Sequence, residues 1–90
     1  MIKIRIPAPL RALTANQDIV TVTGNTVKES IAALITSYPE IGTRIYKQDG
    51  SVNRFMNIYL NDEDIRFLQK LDSPVKENDT ISLLSAIAGG

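Results

Sequence analysis

Cysteine and histidine are both absent from the 90-residue sequence. Without them the chain has no thiol nucleophile, no disulfide, no zinc site of the usual kind and no imidazole for acid–base catalysis. An enzyme that relied on the remaining carboxylates and lysines alone would be unusual. These absences favour a carrier or substrate of other enzymes over an enzyme, and we expect the chain to hold no cofactor.

The chain also lacks a charge excess and a long apolar segment. Ten basic residues balance ten acidic ones, so nothing favours a nucleic acid as partner. No apolar run reaches the roughly eighteen residues that a membrane-spanning helix needs, and residues 1–6 alternate apolar and basic side chains instead of forming a signal-peptide core. We therefore expect a cytoplasmic protein with no membrane partner, and its length predicts a single domain over residues 1–90.

Hydrophobic periodicity predicts five strands and one long helix. The strands come from alternating or β-branched runs between turn residues, at residues 2–6, 19–23, 55–60, 65–67 and 80–84. The helix begins at Thr26, which is predicted to form a capping box with Glu29, and it ends near Tyr38 because Pro39 follows. Between the helix and the third strand, residues 40–54 are predicted to hold a short helical turn and a polar loop.

The order of these elements indicates an α+β fold. A single amphipathic helix must bury its apolar side against one face of a sheet. A hairpin, one long helix and a strand near the end of the sequence predict a β-grasp, or ubiquitin-like, fold, in which a mixed sheet packs on the helix. Its first and last strands can lie side by side and parallel in the middle of the sheet. A ferredoxin-like sandwich is the alternative from the pattern alone, but it needs a second long helix.

The sequence ends on two glycines, Gly89 and Gly90, shortly after the predicted last strand. Glycine tolerates φ of either sign and has no side chain, so such a tail can pass through a narrow channel close to another protein's backbone. The unhindered Gly90 carboxylate would suit an enzyme that places it against the α-phosphate of ATP. We expect a flexible tail over residues 85–90 with this carboxylate as the reactive group. The simpler interpretation is a frayed chain end.

Three stretches give the whole chain a family resemblance. They are the first strand with residues 7–11, the segment 57–67, and residues 78–79 leading through the last strand to residues 86–90. Together they resemble the MoaD/ThiS family of ubiquitin-like sulfur carrier proteins, and the last two look like its CysO-type, cysteine-biosynthesis subgroup. One departure is Ser85, where many members carry a proline that would help to extend the tail.

The resemblance implies that the chain carries sulfur on its terminal carboxylate. An E1-like adenylyltransferase would bind the domain and adenylate the Gly90 carboxylate with ATP, and a sulfur donor would displace AMP to leave a thiocarboxylate. The subgroup implies delivery to a pyridoxal-phosphate-dependent cysteine synthase, with a metalloprotease that releases the cysteine. Two alternatives stay open. The chain could be the small subunit of molybdopterin synthase, paired with its large subunit, or a ubiquitin-like protein modifier.

The last strand is expected to bury Ile81 and Leu83 against the helix and to turn Leu84 to the opposite side. There Leu84 would anchor the activating enzyme, or be an ordinary surface leucine. Arg11 matches a family position that can pair with partner carboxylates, or is a solvated surface arginine. The three carboxylates of residues 62–64 lie on a predicted turn, where such groups are usually solvated, and we assign no metal to them.

Phe67 and the tail complete the candidate partner-binding residues. Ile87 and Ala88 precede the two glycines and would contact the enzyme into which the tail is threaded, with Gly89 beside the reactive carboxylate. Phe67 is counted as a partner contact, although packing in the core or at the sheet edge would also explain it.

Overall fold

A five-stranded sheet with one long helix across it forms the fold in the computed structural model, which describes residues 1–85. The strands are β1 (Ile2–Arg5), β2 (Ile19–Val22), β3 (Met56–Leu60), β4 (Glu63–Asp64) and β5 (Thr80–Ser85). The α-helices are α1 (Val27–Ser37) and α2 (Gly42–Ile45). Short 3₁₀ helices cover Ala8–Thr14, Pro39–Ile41, Ile65–Phe67 and Lys70–Asp72. Within residues 1–85, no helix is long and apolar enough to cross a membrane.

The strand order is β2-β1-β5-β3-β4, with the first and last strands of the chain as neighbours. β1 and β5 run parallel, with Ile4 opposite Ile81, whereas the other neighbouring strands are antiparallel. This topology confirms the predicted β-grasp, including its central parallel pair. The ferredoxin-like alternative fails because α1 is the only α-helix of more than four residues in the described part of the chain.

Helix α1 begins where the sequence predicts. The N-cap Thr26 accepts a hydrogen bond from the Glu29 backbone N–H through its side-chain oxygen, at 3.1 Å. The Glu29 carboxylate accepts from the backbone N–H of Asn25 at 3.0 Å, one residue before the position that a standard capping box uses. The helix ends at Ser37 because Pro39 follows and starts a 3₁₀ turn.

The hydrophobic core lies between α1 and the inner face of the sheet. The helix is amphipathic, as its pattern predicts, since Val27, Ile31 and Leu34 are fully buried while Ile35 and Tyr38 are partly buried against the core. Ile41 and Ile45, from the helical turn predicted after the helix, are also fully buried and belong to this core. Alternate residues of the strands supply the other wall, as the burial patterns of β1 and β5 show.

The connection from β2 to α1 requires glycine at position 24. A Cβ atom there would lie 2.6 Å from the Ser30 side-chain oxygen and 2.8 Å from the Ser30 backbone nitrogen. Ser30 cannot easily move away, because its side chain is fully buried and its hydroxyl donates to the Thr26 carbonyl at 2.9 Å. The strand and the helix therefore meet at a distance that only a residue without a side chain permits.

Two segments differ from the prediction. No helix is predicted between the first two strands, but Ala8–Thr14 forms a 3₁₀ helix there and buries its own Leu10 and Thr14. The short strand was expected at residues 65–67, but it lies two residues earlier, at Glu63–Asp64. It starts there because Asn61 adopts a left-handed φ of 57° and reverses the chain at once.

Residues 65–67 form a 3₁₀ helix instead, because the Asp64 side chain caps it. The Asp64 carboxylate accepts from the Arg66 backbone N–H at 2.9 Å and from Nε and Nη2 of the Arg66 side chain at 2.7 to 3.2 Å. The expectation of a solvated carboxylate is therefore wrong for Asp64, which is only 7% exposed. Its hydrogen bonds from the Arg66 side chain, and then from the Arg66 backbone, lower the pKa of Asp64 below its ordinary value.

This ion pair predicts an acid-sensitive contribution to stability. Because the folded-state pKa of Asp64 is lowered, the pair stabilises the fold above the ordinary aspartate pKa, and this contribution is lost as pH falls through the lowered pKa. Asp64→Asn should therefore lower the free energy of unfolding at neutral pH and flatten its decline in acid. Urea unfolding followed between about pH 7 and pH 2 measures both effects.

Arg66→Gln tests the same ion pair from the other side, because it removes the guanidinium group and leaves the Asp64 carboxylate. It should also flatten the acid decline, but less than Asp64→Asn does, because the backbone N–H at position 66 still donates to the Asp64 carboxylate. If both variants keep the decline of the unaltered protein, the Asp64–Arg66 pair makes no contribution to folding.

Candidate functional site

Strand β5 leads to the predicted reactive end of the chain. The described residues end at Ser85, the last residue of β5, which pairs with Met56 of β3. The predicted roles of Ile87, Ala88, Gly89 and Gly90 concern positions outside the described residues and stay predictions. The structure describes β5, from which this segment continues, and the protein surface around the end of β5.

The start of β5 is held by a network of hydrogen bonds around Asn61. Asn61 and Thr80 exchange two bonds, from the Asn61 backbone N–H to the Thr80 carbonyl at 2.6 Å and from the Thr80 N–H to the Asn61 side-chain oxygen at 3.1 Å. The Asn61 amide also donates to the Asp79 carboxylate at 3.3 Å, and that carboxylate accepts from the Lys76 backbone N–H at 2.9 Å. These bonds fix the register of β5 before it crosses the sheet.

The fixed register turns Leu84 outward. Ile81 and Leu83 are 0% and 1% exposed and face α1, whereas Leu84 is 45% exposed on the opposite, outer face of the sheet. The predicted facing of the last strand is confirmed. The expected role of Leu84 as an anchor for a partner stays a prediction, but its exposure leaves it accessible for that role.

A groove of about 370 Å³ crosses the outer face of the sheet over β5. We call it the outer-face groove, and its lining includes Arg5, Arg11, Tyr59, Asp62, Ser82 and Leu84. Within the sheet, Ser82 lies opposite Arg5 on one side and opposite Tyr59 on the other. The small serine side chain therefore forms a low floor between two long side chains.

This groove brings together two predicted site residues, Leu84 and Arg11, and adds two that the sequence reasoning missed. Arg5 and Tyr59 could have been found from strand alternation once the strand order is known, because they flank Ser82 on the same face. Without the strand order the sequence gives no sign that β1 and β3 residues meet across β5.

Arg11 is held beside the groove by its own backbone surroundings. Its Nε donates to the Ile6 carbonyl at 3.0 Å, which uses one of the five N–H donors of the guanidinium group. Thr14, which is fully buried, has its hydroxyl within 3.2 Å of the Arg11 carbonyl and 2.9 Å of the Gln17 carbonyl. Arg11 is exposed, as both interpretations of it require, and its pairing with a partner carboxylate stays a prediction. The groove lining contains two cations, Arg5 and Arg11, and one carboxylate, Asp62.

Phe67 lies apart from this groove. It is 80% exposed at the end of the 3₁₀ helix that follows β4, so its expected packing in the core or at the edge is wrong. It does not line the outer-face groove with Leu84 and Arg11. Among the described residues, no group of three or more potential ligands could hold a metal ion, the acidic turn at 62–64 included.

The chain is similar along its whole length to proteins of known family. It matches the model of the ThiS family over residues 4–90. It is 36% identical over 91 residues to the sulfur carrier protein CysO of Mycobacterium tuberculosis, across 99% of this chain and 98% of that protein.

Solved structures show the same similarity. A chain of the Amycolatopsis orientalis BexX/CysO complex superposes with a TM-score of 0.91 and 38% identity, with 100% of both chains covered. The small archaeal modifier protein 1 of Methanosarcina acetivorans superposes with a TM-score of 0.88 and 25% identity, with 99% of this chain and 95% of that one covered. The topology built above from strand pairing is therefore that of ubiquitin-like β-grasp proteins.

Proposed function

Because the chain belongs to the ThiS family, we propose that it is a sulfur carrier protein that holds its sulfur on the carboxylate of Gly90. The observation that supports this most is the extent of the family match, which runs to residue 90 and so includes the Gly89–Gly90 ending. In this role the chain is a co-substrate of partner enzymes and not an enzyme itself.

The proposed reaction begins with activation by an E1-like adenylyltransferase. The Gly90 carboxylate attacks the α-phosphate of ATP, which gives an acyl-adenylate and releases pyrophosphate. A sulfur donor then displaces AMP and leaves a terminal thiocarboxylate. This sulfur anion is a good nucleophile at neutral pH, for the reason that makes the thiolate the reactive form of cysteine. The need for ATP supports a cytoplasmic location.

In this scheme the described residues bind and orient the domain. The adenylyltransferase docks on the outer-face groove, with Leu84 as its apolar anchor and Arg11 paired to a partner carboxylate. Because the chain passes directly from Leu84 towards the tail, an enzyme that holds Leu84 also holds the start of the segment it must thread. Ile87 and Ala88 would contact the same enzyme along the tail.

For the destination of the sulfur we propose cysteine biosynthesis. The 36% identity to CysO over nearly the full length of both chains supports it, as does the resemblance of residues 57–67 to that subgroup. The acceptor is then an activated serine held by a pyridoxal-phosphate-dependent cysteine synthase. The thiocarboxylate sulfur replaces the activating group on the β-carbon of that serine, which gives a thioester. An S-to-N acyl shift of the thioester leaves cysteine amide-linked to Gly90, and a metalloprotease releases it by hydrolysis.

A protein modifier is the second candidate. The structural match to a small archaeal modifier protein at 25% identity favours it, because a modifier would use the same tail and the same activation. It would end in an isopeptide bond to a lysine, so conjugates of higher mass in cell extract would separate the two roles.

Deleting Gly90, or adding one alanine after it, should abolish adenylation. Either change removes or displaces the carboxylate that attacks ATP. Neither touches a residue of the sheet or core described above, so the free energy of unfolding should change by less than about 1 kcal/mol. Pyrophosphate release by the adenylyltransferase measures activation, and full-rate release from the shortened chain would refute the proposed function.

Leu84→Ala should weaken binding to the adenylyltransferase by about 2 kcal/mol, or roughly thirtyfold in Kd, as a central apolar anchor does. Its effect on stability should be small, because the side chain is already 45% exposed. Ile19→Ala is the matched control, since Ile19 is equally exposed on the same face but lies on the edge strand β2. Equal calorimetric losses for the two variants would show that Leu84 is no special anchor.

Mass spectrometry of the carrier after the reaction tests which acceptor receives the sulfur. The thiocarboxylate form, mixed with the cysteine synthase and O-phosphoserine, should gain the mass of a cysteinyl adduct. If no adduct forms and sulfur passes instead to a molybdopterin precursor in the presence of a molybdopterin synthase large subunit, the chain is the small subunit of that enzyme.

A further inference from the structure

Phe55 is a half-exposed aromatic residue next to the end of β5. Its side chain is 48% exposed, and the lining of the outer-face groove does not include it. It directly precedes Met56, the residue of β3 that pairs with Ser85. Phe55 therefore lies at the end of the sheet from which the chain continues towards Gly90.

A turn that is tied to the core holds Phe55 in this place. The Phe55 backbone N–H donates to the Asn53 side-chain oxygen at 3.0 Å, and the Met56 N–H donates to the Asn53 carbonyl at 2.9 Å. The Asn53 N–H in turn donates at 2.7 Å to the carbonyl of Ile45, a fully buried residue. Because these bonds already order the backbone, a partner that contacts the ring would lose little entropy in ordering it.

The side chain of Arg54 contributes to the same local order. The carbon at the centre of its guanidinium group lies 5.5 Å from the centre of the Phe55 ring. At this distance the positive charge is attracted to the face of the ring. The contact favours one orientation of the Phe55 side chain, while about half of that side chain stays open to solvent.

The length of the tail limits where an activating enzyme can sit. Five residues, 86–90, follow Ser85, and even when fully extended they would span at most about 18 Å. An adenylyltransferase that acts on the Gly90 carboxylate must bring its active site within this distance of Ser85. The enzyme's surface must therefore approach the residues around the point where the chain leaves β5, and Phe55 is one of them.

We propose that Phe55 is a further docking residue for the adenylyltransferase, which covers the ring with an apolar part of its surface beside the entrance to its active site. The choice of this enzyme follows from the short reach of the tail, and to that extent the inference rests on the proposed function. Leu84 pairs with Asn57, only two residues from Phe55, and two residues span at most about 7 Å. One enzyme surface that covers Leu84 and receives the tail can therefore also contact Phe55.

Calorimetry and kinetics on the full-length carrier test this contact. Phe55→Ala should raise the Kd for the adenylyltransferase about tenfold. In the pyrophosphate-release assay it should raise the KM for the carrier and leave kcat within about twofold, because the ring does not touch the reacting carboxylate. Phe55→Leu should recover most of the affinity, since it restores an apolar side chain. Ile19→Ala is the matched control, because it removes a similarly exposed apolar side chain from the edge strand β2.

A photo-reactive side chain locates the contact independently of affinity. Phe55→benzoylphenylalanine should cross-link to the adenylyltransferase on irradiation. Ala32→benzoylphenylalanine is the control, since Ala32 is exposed on α1, which packs on the inner face of the sheet, and it should give no cross-link.

Three results would overturn the proposal. Phe55→Ala could bind as tightly as the unaltered carrier, its weaker binding could be matched by a loss of folded protein in urea unfolding, or position 55 could give no cross-link. Failure of the proposed function looks different, since the unaltered carrier would then bind the adenylyltransferase but release no pyrophosphate. The Kd values and the cross-link do not depend on turnover and would still decide whether Phe55 contacts that enzyme.

Discussion

The parallel pairing of β1 with β5 is the contact on which the rest of the structure depends. It places Ile4 beside Ile81, both fully buried, at the centre of the sheet and against α1. Once Ile81 faces inward, alternation along the strand turns Leu84 outward. The same pairing lays Arg5 beside Ser82 and so builds one wall of the outer-face groove. The core and the candidate docking surface are thus two faces of one strand pair.

The outer-face groove carries a local excess of positive charge. Arg5 and Arg11 line it together with one carboxylate, that of Asp62. The zero net charge of the sequence hides this local excess, because it sums over all residues. For a carrier that is handled by other enzymes, the distribution of charge matters more than its total.

Much of the fold could be predicted because it is encoded locally. Thr26 and Glu29 mark the helix start, and alternation marks the strands and the facing of Leu84. The features that the sequence reasoning missed depend on contacts between distant segments or on single backbone angles. The strand at Glu63–Asp64 follows from the left-handed φ of Asn61, and the exposure of Phe67 follows from the 3₁₀ helix that Asp64 caps. Hydrophobic periodicity carries no signal for either, and an apolar residue such as Phe67 is by default assigned to the core.

The central strand pair also has a consequence for how the molecule folds. β1 and β5 lie at opposite ends of the described chain, so their pairing closes a loop that contains almost every other element, and contacts of such high sequence separation form slowly. The outer-face groove takes Arg5 from the first strand and Leu84 from the last, and it does not exist until that loop has closed. In the activation proposed above, an incompletely folded chain would carry the terminal glycines but lack the groove on which the adenylyltransferase docks. Folding would then have to be complete before ATP is used to activate the chain.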